Sequence, residues 1–193
     1  MDRRWILGGV LFAGGIGLVR SVTYRPKFDD DSRIIVIGDS FINGMGPHFK
    51  ALADDENLPL IAMGINGSRL DQWVASPWLI EHLRSFQPTH VLVSLGGNDS
   101  YTLFTPEEVG ARAARLVDLI ESSGADVIWI GVPPMPPMRD GKPFNEETIL
   151  AVKDEAPYYF DSSTLDIPRS PDGLHPTAAG YAGWAGTVWQ WLT

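Results

Sequence analysis

From Arg33 onward the chain alternates between short apolar runs and longer stretches in which apolar and polar positions mix at helical spacing. Residues 34–37, 60–63, 90–95 and 127–131 read as strands, with a weaker fifth at 158–160. Several of these runs are continuously apolar, as strands are when both faces of their sheet are covered. Residues 47–57, 70–86 with Pro77 interrupting, 106–122, 146–155 and 176–192 read as helices. Thr105-Pro106-Glu107-Glu108 is a helix start: a capping threonine, proline at the first position, and acids at the positive end of the dipole. Gly124 ends that helix. Strands alternating with helices predict an α/β protein, a three-layer α/β/α sandwich around a central, mostly parallel five-stranded sheet. In such a sheet, functional groups gather beyond the carboxyl ends of the strands.

The first thirty residues follow a different pattern. Asp2-Arg3-Arg4 precedes a glycine-rich apolar run over residues 5–19, and Arg20, Arg25 and Lys27 follow it. The run falls short of the roughly 17 to 25 apolar residues of a membrane span. Arg3-Arg4-Trp5-Ile6-Leu7 resembles the start of a twin-arginine export signal, although no clean A-x-A cleavage site follows. The expected organisation is therefore a targeting or anchor segment with its linker over residues 1–30, and one domain over 31–193. Export to the periplasm, the exterior or the membrane surface is the expectation, with membrane contact through residues 5–19. The alternative is an N-terminal helix or strand packed on the domain.

Composition narrows the function. At 193 residues, 44% hydrophobic and 20% charged, the chain suits one globular domain with one core system. A formal net charge of -9 without a local basic cluster argues against nucleic acid as a partner. The absence of cysteine excludes disulfides, thiolate nucleophiles and thiolate metal sites. No cofactor motif and no metal-ligand cluster is expected.

The chemistry-bearing residues follow the strands. Gly38-Asp39-Ser40 leaves the first strand, Asn66-Gly67-Ser68 the second, and Gly96-Gly97-Asn98-Asp99 the third; Asp172-Gly173-Leu174-His175-Pro176 lies near the carboxyl terminus. A serine after a strand is most often a helix cap, so the first segment alone carries little. Together, the four segments converge on one edge of the sheet. A serine hydroxyl needs an imidazole to take its proton, and the imidazole needs an acceptor on its other nitrogen. Asp172 and His175, three residues apart in a turn before Pro176, can point the same way.

These four segments, in this order, resemble the blocks of the SGNH (GDSL) hydrolase family: a Gly-Asp-Ser, a loop glycine, a Gly-x-Asn-Asp and an Asp-x-x-His. The resemblance covers the chain from about Arg33 to its end and implies a flavodoxin-like fold and serine esterase activity. Carried over by position, it implies Ser40 as nucleophile, Asp172 and His175 as its triad partners, and the Ser40 and Gly67 amides with the Asn98 side chain as oxyanion donors. Phe41 replaces the commoner leucine after the serine, which is expected to reshape the floor of the pocket. Asp39 and Asp99 are expected to accept from backbone amides and hold their loops.

Other features have plainer readings. His48, His82 and His90 are read as surface or packing residues, and Tyr181, Trp184, Trp189 and Trp191 as packing of the last helix. The sequons at Asn66 and Asn98 are read as coincidence, since a glycan would cover the site. An α/β-hydrolase elbow would need glycine where Ile42 stands, and a dinucleotide fingerprint would need a third glycine where Phe49 stands. The resemblance implies an ester substrate. A small acyl group, acetyl on a carbohydrate or cell-envelope polymer, is the expected one; the alternatives are a lipase or lysophospholipase, a thioesterase, or a silent binding or assembly protein attached through its N-terminus. The proline-rich segment 133–143 is expected to form one wall, with Met135 and Met138 as apolar contacts.

Overall fold

The computed structural model describes residues 26–137, 141 and 143–193. The export-like segment and Met138 lie outside the described residues. Strands β1 (Ile34–Gly38), β2 (Leu60–Gly64), β3 (His90–Ser94), β4 (Asp126–Ile130) and β5 (Tyr158–Phe160) form one sheet in the order β2-β1-β3-β4-β5. All neighbours run parallel. The α-helices among the described residues are α1 (Ser40–Asp55), α2 (Leu70–Val74), α3 (Pro77–Ser85), α4 (Pro106–Glu121), α5 (Glu146–Glu155) and α6 (Ala178–Leu192).

Alternate residues of the strands feed two cores. Ile34 and Val36 of β1, Leu92 of β3 and Ile128 and Ile130 of β4 face one layer, with Phe49 of α1 and Trp184, Val188 and Trp189 of α6. Ile35, Ile37, Val91, Val93, Val127 and Trp129 face the other, with Leu70, Leu79, Leu116 and Ile120 from α2, α3 and α4. This two-residue alternation explains the continuous apolar runs: each side chain leaves the strand toward one of two dry layers. Upstream of the sheet, the Phe28 ring packs edge-on against His90 and tilts against Trp189.

The register of the sheet positions the site. Gly38 pairs with Gly64 on one side and with Ser94 on the other, so the loops after β1, β2 and β3 leave at one level, side by side. The chain moves from β1 outward to β2, then crosses to β3, which puts the switch in direction at β1. Gly38 and Gly64 allow the closeness. A Cβ on Gly38 would stand 2.5 Å from the Ser94 carbonyl oxygen, and one on Gly64 would stand 2.1 Å from the Asn43 amide nitrogen.

Several element boundaries differ from the sequence reading. The first helix begins at Ser40 rather than at Pro47, with Asp39 as its cap, and Pro47 sits inside it on an exposed face. The hydrogen bond that Pro47 cannot make is lost on the solvent side, where water can satisfy the carbonyl. The stretch 70–86 is two helices, because the Ser76 hydroxyl accepts from the Leu79 amide and starts a new helix with Pro77 at its first position. A short 3-10 helix, Asp99–Tyr101, follows β3. The last helix starts at Ala178, capped by Thr177, and not at Pro176. No helix among the described residues is long and apolar enough to cross a membrane.

Candidate active site

Asp39 follows β1 directly and caps α1: its Oδ1 accepts from the Phe41 amide at 2.9 Å. Ser40 is thereby placed as the first residue of α1, at the carboxyl edge of the sheet. Its Oγ lies 3.0 Å from His175 Nε2. On the other side of the imidazole, Nδ1 lies 2.7 Å from Asp172 Oδ2. The sequence separates Ser40 from His175 by 135 residues, and the fold brings them within hydrogen-bond reach.

The Asp172–His175 pair is organised by its own turn. The Gly173 amide donates to the Ser170 carbonyl, with Pro171 and Asp172 at the corners and Gly173, at φ +74°, closing the turn. Ser170 and His175 pair across it, the Ser170 amide donating to the His175 carbonyl at 2.7 Å. Asp172 Oδ1 accepts from the Leu174 and His175 amides, each at 2.9 Å, leaving Oδ2 aimed at the ring. The hydrogen bond from the His175 ring, followed by those two amides, holds the Asp172 carboxyl well down, at about 2. The ionised carboxylate accepts from an Nδ1–H and leaves Nε2 to accept from the Ser40 hydroxyl.

Gly67 and Asn98 come to the same place from the loops after β2 and β3. Gly67 adopts φ +73° with no atom within 4 Å of where its Cβ would be, so its backbone can face a ligand unobstructed. Asn98 Nδ2 donates to Asp39 Oδ2 at 3.0 Å and to the Ser68 carbonyl at 3.1 Å. Asp39 is buried, at 2% exposure, and that burial pushes its carboxyl up to about 7, against the Phe41 amide that favours the carboxylate. Asp99 accepts from the Leu70 amide at 3.3 Å, tying the β3 loop to α2; burial raises it to about 6. Both aspartates hold loops, as expected from the sequence. Asn43 Nδ2 donates to Asn66 Oδ1 at 3.0 Å and ties the Gly67 loop to α1.

A cavity of about 290 Å³ joins these groups. Ser40, Gly67, Asn98 and His175 line it together with Phe41, Tyr101, Met135 and Leu174. The Phe41 ring stands edge-on to His175, centroids 6.1 Å apart, and to Trp184 at 5.4 Å, so the departure from leucine does fall on the pocket. The remaining histidines lie elsewhere: His90 packs under Phe28, and His82 stacks on Trp78 with centroids 4.0 Å apart. Among the described residues, no group of three or more metal-ligating side chains occurs.

A family model described as the GDSL-like lipase/acylhydrolase family matches residues 36–182. The chain belongs to this family. Solved structures of similar fold include the psychrotrophic esterase EstA from Pseudoalteromonas sp., at 21% identity over 83% of this chain and 96% of that one, with a TM-score of 0.67. A lipase/acylhydrolase from Enterococcus faecalis is 19% identical over 82% and 94%, TM-score 0.65. A Clostridium thermocellum family 3 carbohydrate esterase is 19% identical over the same shares, TM-score 0.62. No curated protein matches by sequence. The GDSL-like chain is accordingly a hydrolase of the esterase and acylhydrolase class, on the five-stranded parallel α/β fold of these structures.

Sequence reasoning missed two residues that shape the GDSL site. Arg169 donates through Nη1 to the Leu174 carbonyl and through Nη2 to the Pro134 carbonyl at 3.0 Å. Tyr101 donates its hydroxyl to the Pro136 carbonyl. The proline-rich loop is thus held from both sides, with Met135 between the two anchored carbonyls. Nothing in the local sequence of Arg169 or Tyr101 marks a partner more than thirty residues away.

Proposed function

We propose that this chain is a Ser-His-Asp esterase that removes small acyl groups, acetyl above all, from a carbohydrate or cell-envelope polymer outside the cytoplasm. The observation that carries the reading is the Ser40–His175–Asp172 chain of contacts opening onto a cavity of about 290 Å³. That volume lies at the lower edge of the roughly 300 to 1,000 Å³ of small-molecule sites and suits an ester with a short acyl group. The export-like start of the sequence and the carbohydrate esterase among the similar folds support the polymer and the location.

Ser40 Oγ attacks the acyl carbon while His175 Nε2 takes the hydroxyl proton. Asp172 stabilises the imidazolium that forms, with Nδ1–H donating to its carboxylate. The negative oxygen of the tetrahedral intermediate is met by the Ser40 and Gly67 amides and by Asn98 Nδ2, for whose hydrogens it competes with the Ser68 carbonyl. Collapse breaks the ester bond, and His175 returns its proton to the departing alcohol oxygen. Water then attacks the acyl-serine by the same route and releases the acid.

The test is a panel of p-nitrophenyl esters of increasing acyl length. The reading predicts kcat/KM for the acetate at least about tenfold above that for the octanoate, together with acetate release from an O-acetylated polysaccharide. Activity that rises steadily toward long chains would replace it with the lipase or lysophospholipase reading.

A further inference from the structure

A second cavity, of about 400 Å³, lies beyond Met135, which lines both. Its other walls include Pro134 from the proline-rich loop and Asp166, Ile167, Arg169 and Gly173 from the chain leading into the Asp172–His175 turn. We infer that this cavity is the alcohol-side subsite, and that it takes a neutral, polyhydroxylated alcohol such as a sugar residue. The inference deepens the proposed function and rests on it.

Reaction chemistry assigns the side. In acyl transfer the group that removes the serine proton also delivers it to the leaving oxygen. The alcohol must therefore leave within reach of His175 Nε2, whereas the acyl oxygen turns toward the amide donors. Ser40, Gly67, Asn98, Leu174 and His175 line the first cavity, and Gly173, from the same turn as His175, lines the second, so the second cavity continues the first past Met135 on the side of that turn. Met135 is held as the divider by the two clamps on its neighbours, Tyr101 on Pro136 and Arg169 on Pro134. Its Cε stands 3.6 Å from where a Cβ of Gly97 would be, so it also covers the loop that carries Asn98.

The lining selects the class of alcohol. A guanidinium carries five N–H donors, and Arg169 directs two of them to the carbonyls of Leu174 and Pro134. The others, with the Asp166 carboxylate as acceptor, offer a donor and acceptor set matched to neighbouring hydroxyls. A phosphorylated or carboxylated alcohol fits poorly, because Asp166 in the lining and Asp172 acting on Arg169 outnumber its single positive charge. Asp166 and Gly173 are exposed, so the cavity is open to the continuation of a polymer.

The experiment compares kcat/KM for a 6-O-monoacetylated methyl glycoside, whose other hydroxyls are free, with that for ethyl acetate, in the wild type, in Asp166→Ala and in Arg169→Lys. Both esters carry the same acyl group on an alkyl alcohol, so their ratio isolates the alcohol. The wild type is expected to favour the sugar ester, and Asp166→Ala to lower the ratio at least about fivefold, mainly through KM. Arg169→Lys keeps the charge, loses the planar fork, and should lower the ratio as well. Binding of the sugar ester to Ser40→Ala protein, measured calorimetrically with and without Asp166→Ala, should weaken in parallel. A wild-type preference that both substitutions leave intact would overturn the subsite while sparing the carbohydrate reading. A wild type that does not favour the sugar ester would overturn both.

Discussion

Asn98 Nδ2 donates to the buried Asp39 carboxyl at 3.0 Å, so the residue that caps the helix opened by Ser40 also orients the Asn98 side chain at the cavity. Two consequences can be measured. Asn98→Ala should lower kcat roughly 10² to 10³-fold, about 2.7 to 4 kcal/mol, with KM little changed. Asp39→Asn keeps one acceptor for the Phe41 amide but offers no second carboxylate oxygen to Asn98, and should lower kcat in the same direction. The double variant should be little worse than Asn98→Ala alone, because the residues act as a unit. Additive losses in steady-state kinetics would show that they act separately.

The Asp39 carboxyl also ties stability to pH. Burial raises it from 3.8 to about 7 in the folded chain, so the folded state holds a proton that the unfolded state releases between those values. The stability is present in full below pH 3.8 and is lost as pH rises through about 7. At about 1.4 kcal/mol per pH unit the loss is of order 4 kcal/mol. In Asp39→Asn this contribution disappears. Urea unfolding at several pH values should show the wild type losing stability relative to the variant from pH 4 to about 7, and a constant difference would contradict the assignment.

Asp172→Asn keeps an oxygen for the Leu174 and His175 amides and presents an NH₂ to the ring, which favours the wrong imidazole tautomer. The expected loss in kcat is about 10⁴-fold with the turn intact. A loss below about tenfold would mean that Asp172 supports the turn and nothing more.

Phe41 is 2% exposed and stands between His175 and Trp184. Phe41→Leu opens space on the wall of the cavity at a cost of roughly 1 kcal/mol in stability. The ratio of butanoate to acetate hydrolysis should rise severalfold. An unchanged ratio would place the acyl group away from Phe41.

The sheet and the four loop segments were legible because each rests on a local pattern. Continuous apolar runs mark strands covered on both faces, and Gly38-Asp39-Ser40 marks a strand passing directly into a helix. Pro47 misled for a physical reason: proline favours a helix start, yet an exposed turn tolerates it inside. The roles of Arg169 and Tyr101 were not legible, because each bonds a backbone carbonyl, which any residue supplies. Asn98 was visible as a candidate donor, but its hold on Asp39 depends on Gly38 and Ser94 standing in register, and only the sheet sets that.

The most direct test of Ser40 as an activated nucleophile is labelling with a fluorophosphonate followed by peptide mass spectrometry. The account predicts one phosphonyl adduct, on Ser40, formed with loss of activity; no adduct in Ser40→Ala, whose kcat should fall by about 10⁶; and slow labelling in His175→Ala. An adduct on another residue, or Ser40→Ala protein that retains more than about 1% of wild-type turnover, would contradict it.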